Sequence, residues 1–248
     1  MITESFDNES EAIINPQKIK NPIHCDVCIV TFSTQIENFV TDKFMAEKVG
    51  VSVCVNGEFP IYVFEYKNKK IGFYKSIIGA SSASAMLEDV TRFLDTDKFV
   101  FFGSAGSLYK DICDHKVIVP TFAYRDEGTS YHYAKASDTI EIKNHYVVSN
   151  FLKRNRIAFI DGGVWTTDAF YRETINNLKQ RKECGCIAVD MECSAIQSVC
   201  DFRNLNLYYF LITGDNLDCE KWDVRMLREA SHKFPCFLIA LDLACGLN

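Results

Sequence analysis

The sequence predicts a single α/β domain, a central twisted mixed β-sheet flanked by helices. Short apolar stretches alternate with segments whose apolar residues recur at helical spacing. Several of those stretches, such as residues 26–32, 99–102 and 208–212, are apolar throughout, as strands covered on both faces are. No internal repeat or low-complexity linker divides the 248 residues, a length that can bury a full core. The expected division is an N-terminal arm over residues 1–25 and one domain over residues 26–248.

Residues 26–32 form the first strand. Residues 35–49 read as a helix, because Ile36, Phe39, Val40 and Phe44 share a face and Ser33 or Thr34 can cap its start. Residues 52–55 and 61–66 alternate as antiparallel strands, with turn signals at Asn56-Gly57 and Lys67-Asn68-Lys69. Residues 70–76 form a further strand, and the small side chains of residues 80–85 open a helix through Phe93. The strand at 99–102 runs into Gly103-Ser104-Ala105-Gly106-Ser107, read as a loop that either cradles an anion or sugar or is an ordinary turn. After a strand at 116–120, residues 123–133 (AYRDEGTSYHY) are dense in polar and aromatic side chains, as a lid or a pocket wall is. Residues 142–153 read as a helix.

Residues 157–165 lead into Thr166-Thr167-Asp168-Ala169-Phe170-Tyr171-Arg172-Glu173, which combines hydroxyls, an acid, two aromatics and an ion pair. Thr167 or Asp168 is placed to cap a helix over residues 171–181. Phe170 has two readings, a staple into the core or a face for a planar ring. In residues 186–195 (CIAVDMECSA) an apolar strand breaks into a helix at Asp190-Met191-Glu192. These acids are either solvated at a strand exit or hold a ligand, because α/β folds bind ligands at the carboxyl ends of strands and a carboxylate accepts two hydroxyls at once. A second such exit follows residues 208–212, at Thr213-Gly214-Asp215-Asn216-Leu217-Asp218. Helices are expected at 222–233 and 234–245.

Composition excludes several classes. A net charge of −6 without a basic block argues against nucleic-acid binding. No stretch approaches the roughly 18–20 apolar residues of a membrane span. The acidic, polar start MITESFDNESEAIINPQ does not read as a secretory leader, so a cytoplasmic setting is expected. The eleven cysteines are odd in number, and most sit in apolar strands or helices (Cys28, Cys54, Cys200, Cys236, Cys245). Cys25 and Cys28 have no second pair at zinc spacing, and no metal or cofactor is expected. Dinucleotide, Walker, zinc-peptidase and serine-hydrolase motifs are all missing.

The segments FFGSAGSL (101–108), YRDEGTSYHY (124–133), VWTTDAFYRET (164–174), AVDMECSAI (188–196) and ITGDNLDCEKWD (212–223), taken in that order, resemble the nucleoside phosphorylase and nucleosidase superfamily. That group includes purine nucleoside phosphorylases, uridine phosphorylases and methylthioadenosine nucleosidases. The resemblance implies that Glu192, with Met191, Asp190 and Ser104, holds the ribose. It implies that Phe170 and Val189 face the base and that Asp215 protonates a purine leaving group. Gly103 and Ser104 would face the nucleophile, with Glu37 near the same region, either orienting water or simply solvated on its helix. The partner implied is a small nucleoside substrate, and the assembly a homo-oligomer, dimer or hexamer, with the aromatics Phe122, Tyr124, Tyr131 and Tyr133 near the interface.

One departure bears on the reaction. Phosphorylases of this group hold phosphate with arginines, and at the matching positions this chain carries Phe32, Ile36 and Phe101, with no arginine near residues 56–63. A desolvated dianion without forked donors is costly. The expectation is therefore cleavage of an N-glycosidic bond by hydrolysis. The alternatives are a phosphate-dependent phosphorylase and a non-catalytic nucleoside-binding or storage protein on the same fold.

Overall fold

The computed structural model describes residues 1–55, 57–112, 116–225 and 233–247. The first half runs β1 (Ile23–His24), β2 (Val27–Thr31), α1 (Thr34–Lys43), β3 (Glu47–Cys54), β4 (Gly57–Tyr66), β5 (Lys69–Lys75), α2 (Ala80–Val90), β6 (Leu94–Asp95) and β7 (Lys98–Ser107). The second half runs β8 (Val117–Asp126), α3 (Ser130–Tyr133), β9 (Thr139–Glu141), α4 (His145–Arg154) and β10 (Phe159–Thr167). It continues with α5 (Ile175–Glu183), β11 (Cys186–Asp190), α6 (Cys193–Arg203), β12 (Asn206–Asn216) and α7 (Lys233–Gly246).

The main sheet is mixed, in the order β11-β10-β8-β12-β7-β2-β5-β4-β3. Strand β11 also pairs antiparallel with β7, so β11, β10, β8, β12 and β7 close into a ring from which the rest of the sheet extends. β2 is buried at every position and β12 at all but its first, which explains their unbroken apolar sequences. One face of the sheet packs against α2 and α6 through Ala83, Leu87, Ile196 and Val199. The other packs against α1, α4 and α7 through Ile36, Val40, Val148, Leu152 and Phe237.

Local signals held at several boundaries. Lys67 and Asn68 take φ of 48° and 61°, the positive values that a tight two-residue hairpin between β4 and β5 requires. Elsewhere packing overrode them. The helix expected to run to residue 49 stops at Lys43, and Met45 reverses the chain at φ 48°. Phe44 then packs tilted against Phe64 at 4.9 Å between ring centroids, and residues from Glu47 onward pair with β4 instead. Glycine and serine at 103–107 do not make a loop but continue β7, and β8 extends through Asp126. Helix α5 is capped by Thr174, whose Oγ1 accepts the Asn177 N–H at 3.3 Å, rather than by Thr167 or Asp168. Of the helix expected at 222–233, residues 222–225 are not helical and 226–232 lie outside the described residues.

The aromatic segment at 123–133 does not line the cleft described below and is instead tied into the fold. Arg125 gives its guanidinium to Ser130 Oγ at 2.8 Å and Lys135 O at 2.7 Å, under the Tyr131 ring at 4.1 Å. Glu127 accepts from the Ser130 amide and from Ser194 Oγ at 2.8 Å, tying the segment to α6. Tyr124 lies on Arg181 at 3.9 Å, Tyr133 donates to Glu88 at 2.7 Å, and Phe122 covers Gly163. These aromatics, expected near an interface with a neighbouring subunit, are half-buried in the fold. Cys54, expected inside, is exposed. The first residues are tied down in part: Ile19 and Ile23 donate to Arg92 O and Phe93 O, and β1 pairs with β6.

Candidate active site

A cleft of about 1130 Å³ opens where β7, β11 and β12 end. Three backbone features build it. The register of β12 against β7 shifts between Thr213, opposite Ala105, and Asp215, opposite Gly106. This bulge at Gly214 sets the phase that turns Asp215 into the cleft. Gly106 lets the strand lie close beneath, because a Cβ there would meet Leu217 Cδ1 at 2.5 Å and Asp215 Oδ1 at 3.3 Å. At the end of β11 the chain breaks into α6, and Glu192 stands at the helix N-cap.

Glu192 is 7% exposed and lines the cleft. Its Oε1 accepts the Gly79 amide at 2.6 Å. Burial, then the charge of Asp190, raises its proton affinity, against the pull of the Gly79 and Met191 amides. Asp190 was expected beside Glu192 on the sugar, and it does reach the cleft floor. Its acceptors, however, are engaged within the protein: Thr166 Oγ1 at 2.8 Å, the Cys193 amide at 2.9 Å and Tyr209 OH at 3.0 Å. It shapes the strand-to-helix exit.

Met191, Val189, Gly103 and Ser104 line the same cleft, as does Phe170, 46% exposed on the 3₁₀ turn Phe170–Arg172. Phe170 is therefore not a core staple. Its ring meets Tyr171 at 4.0 Å between centroids. Asp215 is buried, which raises its pKa, while the Trp222 indole N–H, donated to Oδ2 at 2.7 Å, works against that rise. Asp218, three residues on, differs in environment. Lys182 donates to it at 2.8 Å and holds its carboxyl below the usual range.

Glu37 is not among the residues lining the cleft. Its carboxylate is bound by Lys75 Nζ at 2.7 Å, which also removes Lys75 as a free cation. No arginine lines the cleft among the described residues. Phe101 is fully buried, stacked on Tyr209 at 6.0 Å and edge-on to Tyr74 at 6.4 Å. Phe32 packs against Gly103, where a Cβ would meet its ring at 3.3 Å.

Two cleft residues escaped the sequence reading. Trp222 was read as a helix start, and Glu173 as half of an ion pair with Arg172. Arg172 is exposed, and Glu173 instead faces the cleft, where burial and the charge of Asp215 push its carboxyl up to about 8. The signal available was membership in the same motif-bearing segments; that Glu173 and Asp215 line one cleft joins residues too far apart in the chain for any local pattern to reveal. No group of three or more His, Cys, Asp or Glu is arranged to hold a metal ion among the described residues. No helix among them is long and apolar enough to cross a membrane.

The family model described as Phosphorylase superfamily matches residues 26–234. A 5′-methylthioadenosine/S-adenosylhomocysteine nucleosidase of Buchnera aphidicola subsp. Acyrthosiphon pisum is 30% identical over 171 residues, covering 64% of this chain and 73% of the relative. A DeoD-type purine nucleoside phosphorylase of Aliivibrio fischeri is 26% identical over 156 residues, 62% of this chain and 65% of the relative. The crystal structure of uridine phosphorylase from Vibrio fischeri superposes with a TM-score of 0.70 at 21% identity, over 96% of this chain and 99% of that chain, a likeness of fold.

Proposed function

Because this chain belongs to the phosphorylase superfamily, we propose that it cleaves the N-glycosidic bond of a nucleoside, of purine type, with water as the acceptor. One observation carries the reading: a buried carboxylate suited to sugar hydroxyls (Glu192) and a buried acid of raised proton affinity (Asp215) line one cleft that no described arginine enters. Glu192 keeps an oxygen for the ribose 2′- and 3′-hydroxyls while Gly79 fixes the other. Met191 and Ser104 pack around the sugar, and Phe170 and Val189 take the base. Asp215 gives a proton to the base as it leaves, help typically worth about 10²–10⁴-fold.

The choice of water over phosphate follows from charge. Glu173, Asp215, Asp190 and Glu192 surround the reacting region, and Lys182 is committed to Asp218. A phosphate dianion entering there would meet carboxyls, Asp215 among them ionised, without a forked donor to offset its desolvation. The mixed record of relatives, one named as a nucleosidase and one as a phosphorylase, makes the acceptor the point to test. The test is incubation with a nucleoside panel with and without phosphate, following free base and the sugar product. Base with free ribose supports the reading. Ribose 1-phosphate would replace it with phosphorolysis, and binding without release would favour a non-catalytic nucleoside-binding protein.

A further inference from the structure

Glu173 is a cleft carboxyl with no part in the reaction assigned so far. It stands between the aromatic turn Phe170–Arg172 and α5, and it lines the cleft with Asp215. Among the described residues no hydrogen-bond donor and no cation engages its side chain. The charged groups facing this space are Asp215, Asp218 and Glu220 from β12 and the segment after it, and Lys179 and Lys182 from α5. Lys233 from α7 and the pair Asp190 and Glu192 from the β11–α6 exit complete the set. Lys182 is spent on Asp218. The charge that acts on Glu173 is that of Asp215.

Two carboxyls that sense each other in a half-dry space do not both ionise at neutral pH. This pair is asymmetric. The Trp222 N–H on Asp215 Oδ2 favours the carboxylate there, while Glu173 has no donor to favour its own.

We propose that Glu173 and Asp215 work as a pair holding one proton, resident on Glu173 at rest and passed through Asp215 to the leaving base. This rests on the glycosidic-cleavage reading. As the C1′–N bond breaks, its electron pair goes to the base. The single proton passes from Glu173 to Asp215 and on to a base nitrogen, which leaves both carboxyls ionised. The water oxygen bonds C1′, and the proton it releases returns to Glu173. Nucleoside and water give base and free sugar. Glu173 acts through Asp215 and is a positioning residue.

The test compares the parent protein with Glu173→Gln, which keeps the shape and removes both proton and charge. Without Glu173, Asp215 loses its proton at lower pH. The alkaline limb of kcat should therefore move down by about one pH unit or more, which lowers kcat at pH 8 about tenfold. KM should change less than about threefold, and kcat near pH 5.5 should approach the parent value. An unmoved limb, or an equal fall at all pH values, overturns the proposal. A second readout needs no activity: carboxyl ¹³C NMR titration of the folded parent and variant. Glu173 should titrate near 8 in the parent, and in Glu173→Gln the last proton of the site, then held by Asp215, should leave at lower pH than that. An ordinary glutamate titration of Glu173, or a variant that keeps its last carboxyl proton up to pH 8, overturns the pairing. Coupled titrations in a protein that releases no base from any nucleoside leave the pairing supported and sink the cleavage reading.

Discussion

The Gly79 amide donates to Glu192 Oε1 at 2.6 Å, joining the start of α2 to the start of α6 across the cleft. The two residues lie 113 apart in the chain. Gly79 holds φ 100° and ψ 141°, a backbone region that side chains disfavour, and a Cβ there would touch nothing within 4 Å. The glycine is thus required for its conformation and not for space.

Gly79→Ala should cost about 1–3 kcal/mol of stability, the range for strained backbone positions. The turn can relieve that strain only by moving the amide off Glu192, so KM for nucleoside should rise. Thermal melting and steady-state kinetics check both. A variant with parent-like melting and KM would show that the conformation is not needed.

Glu192→Gln replaces an acceptor-only group with one that must turn an NH₂ either on Gly79 or on the sugar. A hydrogen bond to a charged group is worth about 1.5–3 kcal/mol, and two are at stake with the ribose. Base release should fall by about 10²-fold or more. The melting temperature should stay near the parent value, because the side chain adds no apolar packing. Activity retained alongside a large drop in melting temperature would make Glu192 a structural residue.

Base release should proceed at the same rate in phosphate-free buffer. Phe101 is buried among Tyr209, Tyr74 and Phe32, and Lys75 is held by Glu37, so neither position offers a cation to an anion. A rate that rises and saturates with phosphate would mean that Lys179 or Lys233, which line the cleft, supplies the site.

Stability should decline as pH rises from about 5 to 8.5. The folded state raises Glu173 to about 8, above the ordinary glutamate value, so it binds more protons than the unfolded chain between the two. The stabilisation is complete below the unfolded value and is lost as pH rises through the folded one. Buried Glu192 acts in the same direction. Glu173→Gln should flatten the decline in melting temperature, and an unchanged slope would show that Glu173 does not hold its proton in the folded protein.

The α/β class and the chain order of most elements were legible in the residues themselves, and much of the cleft in its motif-bearing segments, though not Trp222 or Glu173. Apolar period, turn residues and strand exits are local, and each is written within a few positions: Lys67-Asn68 make their hairpin, and Met191-Glu192 and Asp215 follow apolar strands. Only the tertiary structure decided how those exits are used. The bulge at Gly214 sets the phase of Asp215 because β7 dictates the register. Asp190 is drawn to Thr166 and Tyr209, Glu37 to Lys75, and the aromatic segment at 123–133 to α6 and Arg181 instead of the cleft. Closure of β11 onto β7 and the placing of Glu173 and Asp215 on one cleft join residues distant in the chain. A carboxylate's neighbours fix whether it binds sugar, caps a turn or keeps a proton, and those neighbours come from pairings that no local pattern encodes.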